Sequence, residues 1–391
     1  MPPQTQQPKG GASSARPHRL GAKSLPEHTR RHNRALVLQH LFHTGPMSRA
    51  DLARESSLTR VTVGDLISEL QSDGLVHELG QRQGSRPGKP ATLVDIDRAA
   101  FRMIAIDLSP DDRFTGVVTD LRGEVTHQVA QSLSGARGEA AIEKVLVLVA
   151  TLIGASPEPL LGIGVGTPGI VDGTGVVRQA PNLGWYDVDL GERIRRAFDY
   201  PVYVANDANA AALGVRTFTL GGGERENSGD SLMVVRVEHG VGAGLVIDGA
   251  LIRGEQYAAG EIGHVVVDED GEECACGRNG CLELALAVPH LRRRIAATDA
   301  HGRDQVLSDA GRALGIALSP VLGVLNLNLV VLSGPAELIG GPLIESARAT
   351  IRARTMSAVS NGLDLRAASG DEDLVLMGAI VLVLSGELGV S

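Results

Sequence analysis

The sequence predicts an α/β protein in two parts: an N-terminal helix-turn-helix carrying a wing and, behind it, a larger body of two similar lobes. Three observations point there. The chain has 391 residues, more than one hydrophobic core usually spans. Between Glu27 and Asp97 the pattern is three short apolar-striped helices, then a strand, a Gly/Pro-rich loop and a second strand, the order of a winged helix-turn-helix. From Phe101 onward β-rich segments alternate with helical ones, as in α/β folds.

Residues 1–24 are rich in Pro, Gly, Ser and Gln and lack the apolar stretch of a secretory signal, which predicts a disordered, weakly basic arm. The winged unit follows over 25–97. Leu36, Leu38, Leu41 and Phe42 give its first helix an apolar stripe, which Gly45-Pro46 ends. Ser48 is placed to cap the second helix, with Asp51 three residues on favouring the N-terminal dipole. That helix stops near Ser56-Ser57. Thr59 caps the third, which runs through Val63, Leu66, Ile67 and Leu70 to a stop at Asp73-Gly74.

In the body, Met103 to Ile106 and Thr115 to Asp120 read as opening strands, and Glu139 to Leu152 as a helix. Leu161 to Val165 is another strand, and Val202 to Ala205 leads into a helix at Asp207 to Leu213. Met233 to Val237 and Leu245 to Ile247 repeat the strand pattern, with helices near Leu282 to Ala297 and Ser308 to Leu325. The apolar tail Leu374 to Leu388 is interrupted by Gly378, Ser385 and Gly386 and reads as a buried helix. The division predicted is a first lobe over 98–210, completed by 371–391, and a second lobe over 211–370. No apolar run reaches the roughly 18 residues of a membrane span, and the chain is expected in the cytoplasm.

Charge is uneven. The net charge is −9, yet the first 100 residues hold 14 Lys and Arg against 9 Asp and Glu, leaving 23 against 37 in the rest. A basic front on an acidic body suits a polyanion-binding module on an acidic carrier. Aromatic residues are only 3% of the chain, which leaves few platforms for stacking single-stranded bases. The third helix would present Thr59, Arg60, Thr62 and Val63 at its N-terminal end, the part that reaches base edges. In the wing tip Gly84-Ser-Arg-Pro-Gly-Lys-Pro90, the prolines keep the chain extended while Arg86 and Lys89 project. Such a finger suits the minor groove of double-stranded DNA.

All three cysteines lie within Cys274-Ala-Cys276-Gly-Arg-Asn-Gly-Cys281, with His264 ten residues ahead. Three thiolates and one imidazole make a closed tetrahedral set, the pattern of structural Zn2+. A disulfide would leave one cysteine over. Glu261 precedes His264 and Glu283 follows Cys281, so one metal loop would hold two carboxylates. With Asn206-Asp207 they form the acceptor set a sugar site needs, because each carboxylate can accept from two hydroxyls. Asn206 and Asp207 equally fit a plain helix cap.

Gly166-Thr-Pro-Gly169, Ala180-Pro-Asn-Leu-Gly-Trp185, Asn206-Asp-Ala-Asn-Ala-Ala-Ala-Leu-Gly214, Glu261-Ile-Gly-His264 and the cysteine loop through Glu283, taken together and in this order, resemble the ROK family, whose name joins repressors, open reading frames and sugar kinases. The resemblance runs from about residue 27 to the end. It implies an actin-like, ribonuclease-H-like two-lobed domain of sugar-kinase type, with a hexose or amino sugar in the cleft. It places Asn206, Asp207, Glu261, His264 and Glu283 at sugar contacts, with Asn182 a weaker candidate. His264, Cys274, Cys276 and Cys281 fall on its zinc positions. A family kinase would use Asp207 as base and two glycine-rich phosphate turns. Gly240-Val-Gly242-Ala-Gly244 matches the second, with His239 where a small hydroxyl residue is usual. In place of the first, Asp-x-Gly-Gly-Thr, stands Asp107-Leu-Ser-Pro-Asp-Asp112. Pro110 has no N–H to donate, and Asp111 and Asp112 would repel a phosphate. The expectation is therefore a sugar-responsive regulator, a repressor acting as a homodimer or homotetramer on operator DNA. The alternative is an ATP-dependent hexose kinase with a regulatory head.

Overall fold

The computed structural model describes residues 26–81, 91–156, 159–219, 230–368 and 373–390. The N-terminal arm and the wing-tip residues Arg86 and Lys89 lie outside them.

The N-terminal unit comprises α1 (Pro26–Thr44), the short strand β1 (Met47–Ser48), α2 (Arg49–Glu55), α3 (Arg60–Ser72), β2 (Val76–Gln81) and β3 (Thr92–Ile96). Its helices start at the expected caps: Ser48 accepts the Asp51 N–H and Thr59 accepts the Thr62 N–H, filling donors that a helix start leaves open. Leu38, Leu41, Leu52, Val63, Leu66 and Ile67 close its core. The strands pair antiparallel in the order β1-β3-β2.

The first half of the body holds β4 (Arg102–Asp107), β5 (Arg113–Thr119), β6 (Val125–Ser132), α4 (Glu139–Gly154) and β7 (Leu160–Thr167). The small strands β8 (Ile170–Val171), β9 (Val177–Ala180) and β10 (Trp185–Val188) follow, then α5 (Leu190–Phe198), β11 (Val202–Asn206) and α6 (Asp207–Gly214). The second half holds β12 (Leu232–Val237), β13 (Val241–Ile247), β14 (Ala250–Ile252), α7 (Leu282–Leu286), α8 (Val288–Ala296) and α9 (Ala300–Leu325). It continues through β15 (Leu329–Ser333), α10 (Ala336–Ile339), α11 (Pro342–Arg354), α12 (Ser357–Ser360) and β16 (Asp364–Ala367), after which α13 (Leu374–Val383) returns to the sheet of the first half.

Each half is built on one five-stranded sheet, β11-β7-β4-β5-β6 and β14-β13-β12-β15-β16. Counted within its half, the strand order is the same. The first three strands meander antiparallel, and the fourth and fifth join parallel on the other side of the first. Two helices occupy the layer between the sheets, α6 packed on β12 and β13, and α13 packed on β4 and β7. They meet so closely that a Cβ on Gly378 would overlap the Ala210 carbonyl, as one on Gly164 would overlap that of Ala379, so only glycine serves there. Trp185 and Phe114 anchor the core under α4 and α5, while α9 and α11 cover the other sheet.

The winged unit is not a separate bead. Its core continues through Met103 and Val117 to Leu376, Ile380 and Leu388 of the C-terminal tail. Gln39 on α1 donates to the Gly389 carbonyl at 3.0 Å, and Phe42 meets Phe218 edge to face at 6.2 Å between ring centres. Among the described residues no helix is long and apolar enough to cross a membrane.

Candidate ligand cleft, metal loop and DNA-facing helix

A cleft of about 650 Å³ opens where the C-terminal ends of β7 and β11 face the β12–β13 turn, and Asn182, Asn206, Asp207, Glu261, His264 and Glu283 all line it. The structure thus brings all six sequence-derived candidates to one cavity. Their freedom differs. Asn206 is the cap of α6, its Oδ1 accepting the Asn209 N–H at 3.0 Å while its Nδ2 donates to the Gly169 carbonyl and to Asp207, both at 2.9 Å. The helix-cap reading and the cleft reading therefore coexist, and a ligand meets only the remaining acceptor capacity of this amide. Asp207 Oδ1 also accepts the Ala208 N–H at 2.9 Å.

Two functional-looking residues escaped the sequence reading, Arg236 and Glu238. Arg236 interrupts the otherwise apolar β12, and its side chain is 9% exposed with Nε 3.2 Å from Asp207 Oδ2. Burial opposes its charge, but Asp207, Asp107, Glu238 and Asp373 outweigh burial and raise its pKa. Burial also pushes the Glu238 carboxyl above its ordinary range, against the pull of Arg236. Asp107 is pushed up to about 7 by burial, with Arg236 opposing and Asp373 adding. Its Oδ1 accepts the Ser109 N–H at 2.8 Å. A cation within an apolar strand was the available signal; its partners, on β4, α6 and the cap of α13, are remote in sequence.

The two turns that would cradle phosphates face each other across the cleft mouth. In the first, Asp111 pairs with His239 of the second. In the second, the Val241 N–H donates to Glu283 Oε2 at 3.2 Å. Partial withdrawal from water raises the pKa of Glu261, His264 opposing and Asp207 and Glu283 adding to the rise.

The ligand atoms of His264, Cys274, Cys276 and Cys281 lie within 4.8 Å of one another. Cys274 Sγ is 3.7 Å from His264 Nδ1, and Cys276 Sγ is 3.5 Å from Cys281 Sγ. Tetrahedral bonds of about 2.0–2.3 Å put ligand atoms roughly 3.5–3.8 Å apart, so the donor set fits a metal ion. Gly280, at φ +66°, passes so near the Asp268 carbonyl that a side chain has no room. The bridge from Val266 to Cys281 ties the loop to the start of α7, which carries Glu283.

At the start of α3, Thr59 and Arg60 are exposed, and Thr62 is half-buried with its hydroxyl 2.9 Å from that of Thr59. Val63 does not face outward as expected: it is fully buried, because it shares the inward stripe with Leu66, Ile67 and Leu70. The outward valine is Val61, 74% exposed.

The ROK family model matches residues 103–385. This chain belongs to the ROK family. It is 28% identical to the xylose repressor of Bacillus subtilis (strain 168), across 90% of this chain and 94% of the relative. A glucokinase of Halalkalibacterium halodurans is 31% identical but covers 59% of this chain and 78% of its own length. Among solved structures, a ROK family transcriptional regulator described as a homolog of the E. coli MLC protein has a TM-score of 0.81 at 24% identity, covering 93% of this chain and 98% of its own. That likeness is one of fold.

Proposed function

We propose that this ROK protein is a sugar-responsive transcriptional regulator, a repressor, that binds double-stranded operator DNA through its winged unit and a hexose or hexose derivative in its cleft, without phosphorylating it. The observation that carries the reading is the extent of the likeness: 90% of the chain, reaching into the winged unit, aligns with a protein named as a repressor, against 59% with a named glucokinase. Asp207, Glu261 and Glu283 would accept sugar hydroxyls, with Asn182, Asn206 and His264 beside them. His264, Cys274, Cys276 and Cys281 would hold Zn2+, whose chemistry here is structural, cross-linking the loop that carries both glutamates. Thr59, Arg60 and Thr62 would face the major groove, with Arg86 and Lys89 in the minor groove. Paired half-sites call for a homodimer or homotetramer, acting in the cytoplasm, where DNA and sugar meet.

The kinase alternative loses ground on particular atoms. Phosphate turns must offer N–H groups, whereas Val241 gives its own to Glu283 and Pro110 has none. The test selects binding duplexes from a random pool and, separately, measures sugar-dependent ATP consumption. The expected result is a preferred duplex, for which Arg60→Ala costs about 1–3 kcal/mol with little change on unrelated DNA, and no ATP turnover. Turnover abolished by Asp207→Ala would replace the regulator with the kinase.

A further inference from the structure

Arg236 belongs to neither the sugar set nor the metal set. It lies on β12 of the second half, yet the carboxylates around it come from elsewhere: Asp107 on β4, Asp207 at the start of α6 and Asp373 capping α13, with Glu238 in the turn just past β12. Outside this group, Asp111 and Arg292 face Glu238, and His264 and Glu283 face Glu261. Burying a guanidinium is unfavourable unless it is matched by charge and hydrogen bonds. The charge is matched, but the hydrogen bonding is incomplete: Nε, though 3.2 Å from Asp207 Oδ2, is buried without an aligned acceptor, and the residue lines the cleft. Four carboxylates line the same cleft, Asp207, Glu238, Glu261 and Glu283, against Arg236, the exposed Arg137 and the imidazoles of His239, His264 and His290.

We infer that Arg236 is a positioning residue of the effector site: it fixes and neutralises the Asp207 carboxylate from the opposite half, and the cleft so balanced accepts an uncharged sugar and rejects a phosphorylated one. This rests on the sugar-sensing reading above. A phosphate ester brings close to two negative charges at neutral pH into a cleft whose one buried cation is already matched, so its desolvation goes uncompensated. An uncharged ring asks only for hydrogen bonds, its hydroxyls donating to the Asp207 carboxylate that Arg236 backs at 3.2 Å.

The experiment has two arms, both on the full chain. In the first, glucose, xylose and N-acetylglucosamine are titrated by calorimetry beside their phosphate esters. The expected result is that an uncharged sugar binds and its ester binds about tenfold weaker or less, the scale of one lost charge-assisted contact. Tighter binding of an ester overturns this inference and leaves sugar sensing intact. Binding of neither class removes the sugar-sensing reading itself, and the inference with it. In the second arm, Arg236→Gln and Arg236→Lys are melted between roughly pH 5.5 and 8. Without the shared cation, carboxylates held in the native state resist ionisation, so Arg236→Gln should lose stability with rising pH more steeply than the parent. Arg236→Lys should follow the parent slope and keep sugar affinity within about threefold, where Arg236→Gln loses about tenfold. An Arg236→Gln whose deficit is the same at every pH, with affinity unchanged, would make Arg236 a packing residue only.

Discussion

The two five-stranded sheets share one strand order, yet the hairpins that occupy equivalent places in them differ. In the first, between β4 and β5, Asp107 folds back onto Ser109, Pro110 contributes no N–H, and Asp111 reaches across to His239. In the second, between β12 and β13, glycines keep a tight turn, but the Val241 N–H is given to Glu283 of the metal-loop segment. One hairpin has been closed by its own side chains and the other by a carboxylate brought from the next segment. Topology builds the cleft, while turn chemistry sets which backbone N–H groups the cleft can offer a ligand.

The largest effect is expected from disturbing what only the second half has. Chelation of the proposed Zn2+, or Cys281→Ala, should cost several kcal/mol and abolish sugar binding, because the cysteine loop joins the segments that carry Glu261 and Glu283. Hydrogen exchange should rise from Cys274 to Glu283 and stay low in β4 and β7; uniform change across both sheets would refute a local role. Next in size is the layer the halves share. Gly378→Val pushes a side chain into the Ala210 carbonyl and should cost about 2–3 kcal/mol, measured by denaturant unfolding. A variant as stable as the parent would mean that α6 and α13 are not the joint.

Asp107 tests the first hairpin through pH. Burial raises its pKa from 3.8 to about 7, so the folded chain keeps a proton that the unfolded chain has released. Stability should therefore fall as pH rises from about 4 through about 7 and level off above. Asp107→Asn should flatten that fall in melting temperature, and an unchanged slope would place the titration elsewhere. The smallest effect lies in the winged unit, where Thr59→Ala removes the cap of α3 and should cost about 1 kcal/mol.

What the sequence disclosed follows from how local each cause is. Ser48 and Thr59 are short-range signals, and both cap the helices they were read to cap. The apolar runs of β4, β7 and β12 announce themselves. By contrast β6 is a largely exposed strand, and β8, β9 and β10 are two to four residues long, too polar or too short for a periodic pattern to single out. Strand order was out of reach, because alternation says which face is buried and not which neighbour pairs. In the site, the cysteine loop was legible because its donors are near in sequence. Arg236 was not, since its meaning comes from Asp107, Asp207 and Asp373 on three other elements. Val63 was misplaced only in its outward role; its own stripe with Leu66 and Ile67 already turned it inward.

The proposed link between two distinct sites, the cleft and the winged unit, runs through α13 and the tail. It is tested most directly by titrating the selected duplex at fixed salt, with and without the binding sugar, for the parent, Arg60→Ala and Asp207→Ala. Arg60→Ala should lose DNA affinity and still bind sugar. Asp207→Ala should bind DNA like the parent when no sugar is present and lose the sugar response, since a ligand shifts a balance only through contacts that differ between its states. An Asp207→Ala protein whose DNA binding still answers to the sugar as the parent's does would contradict it.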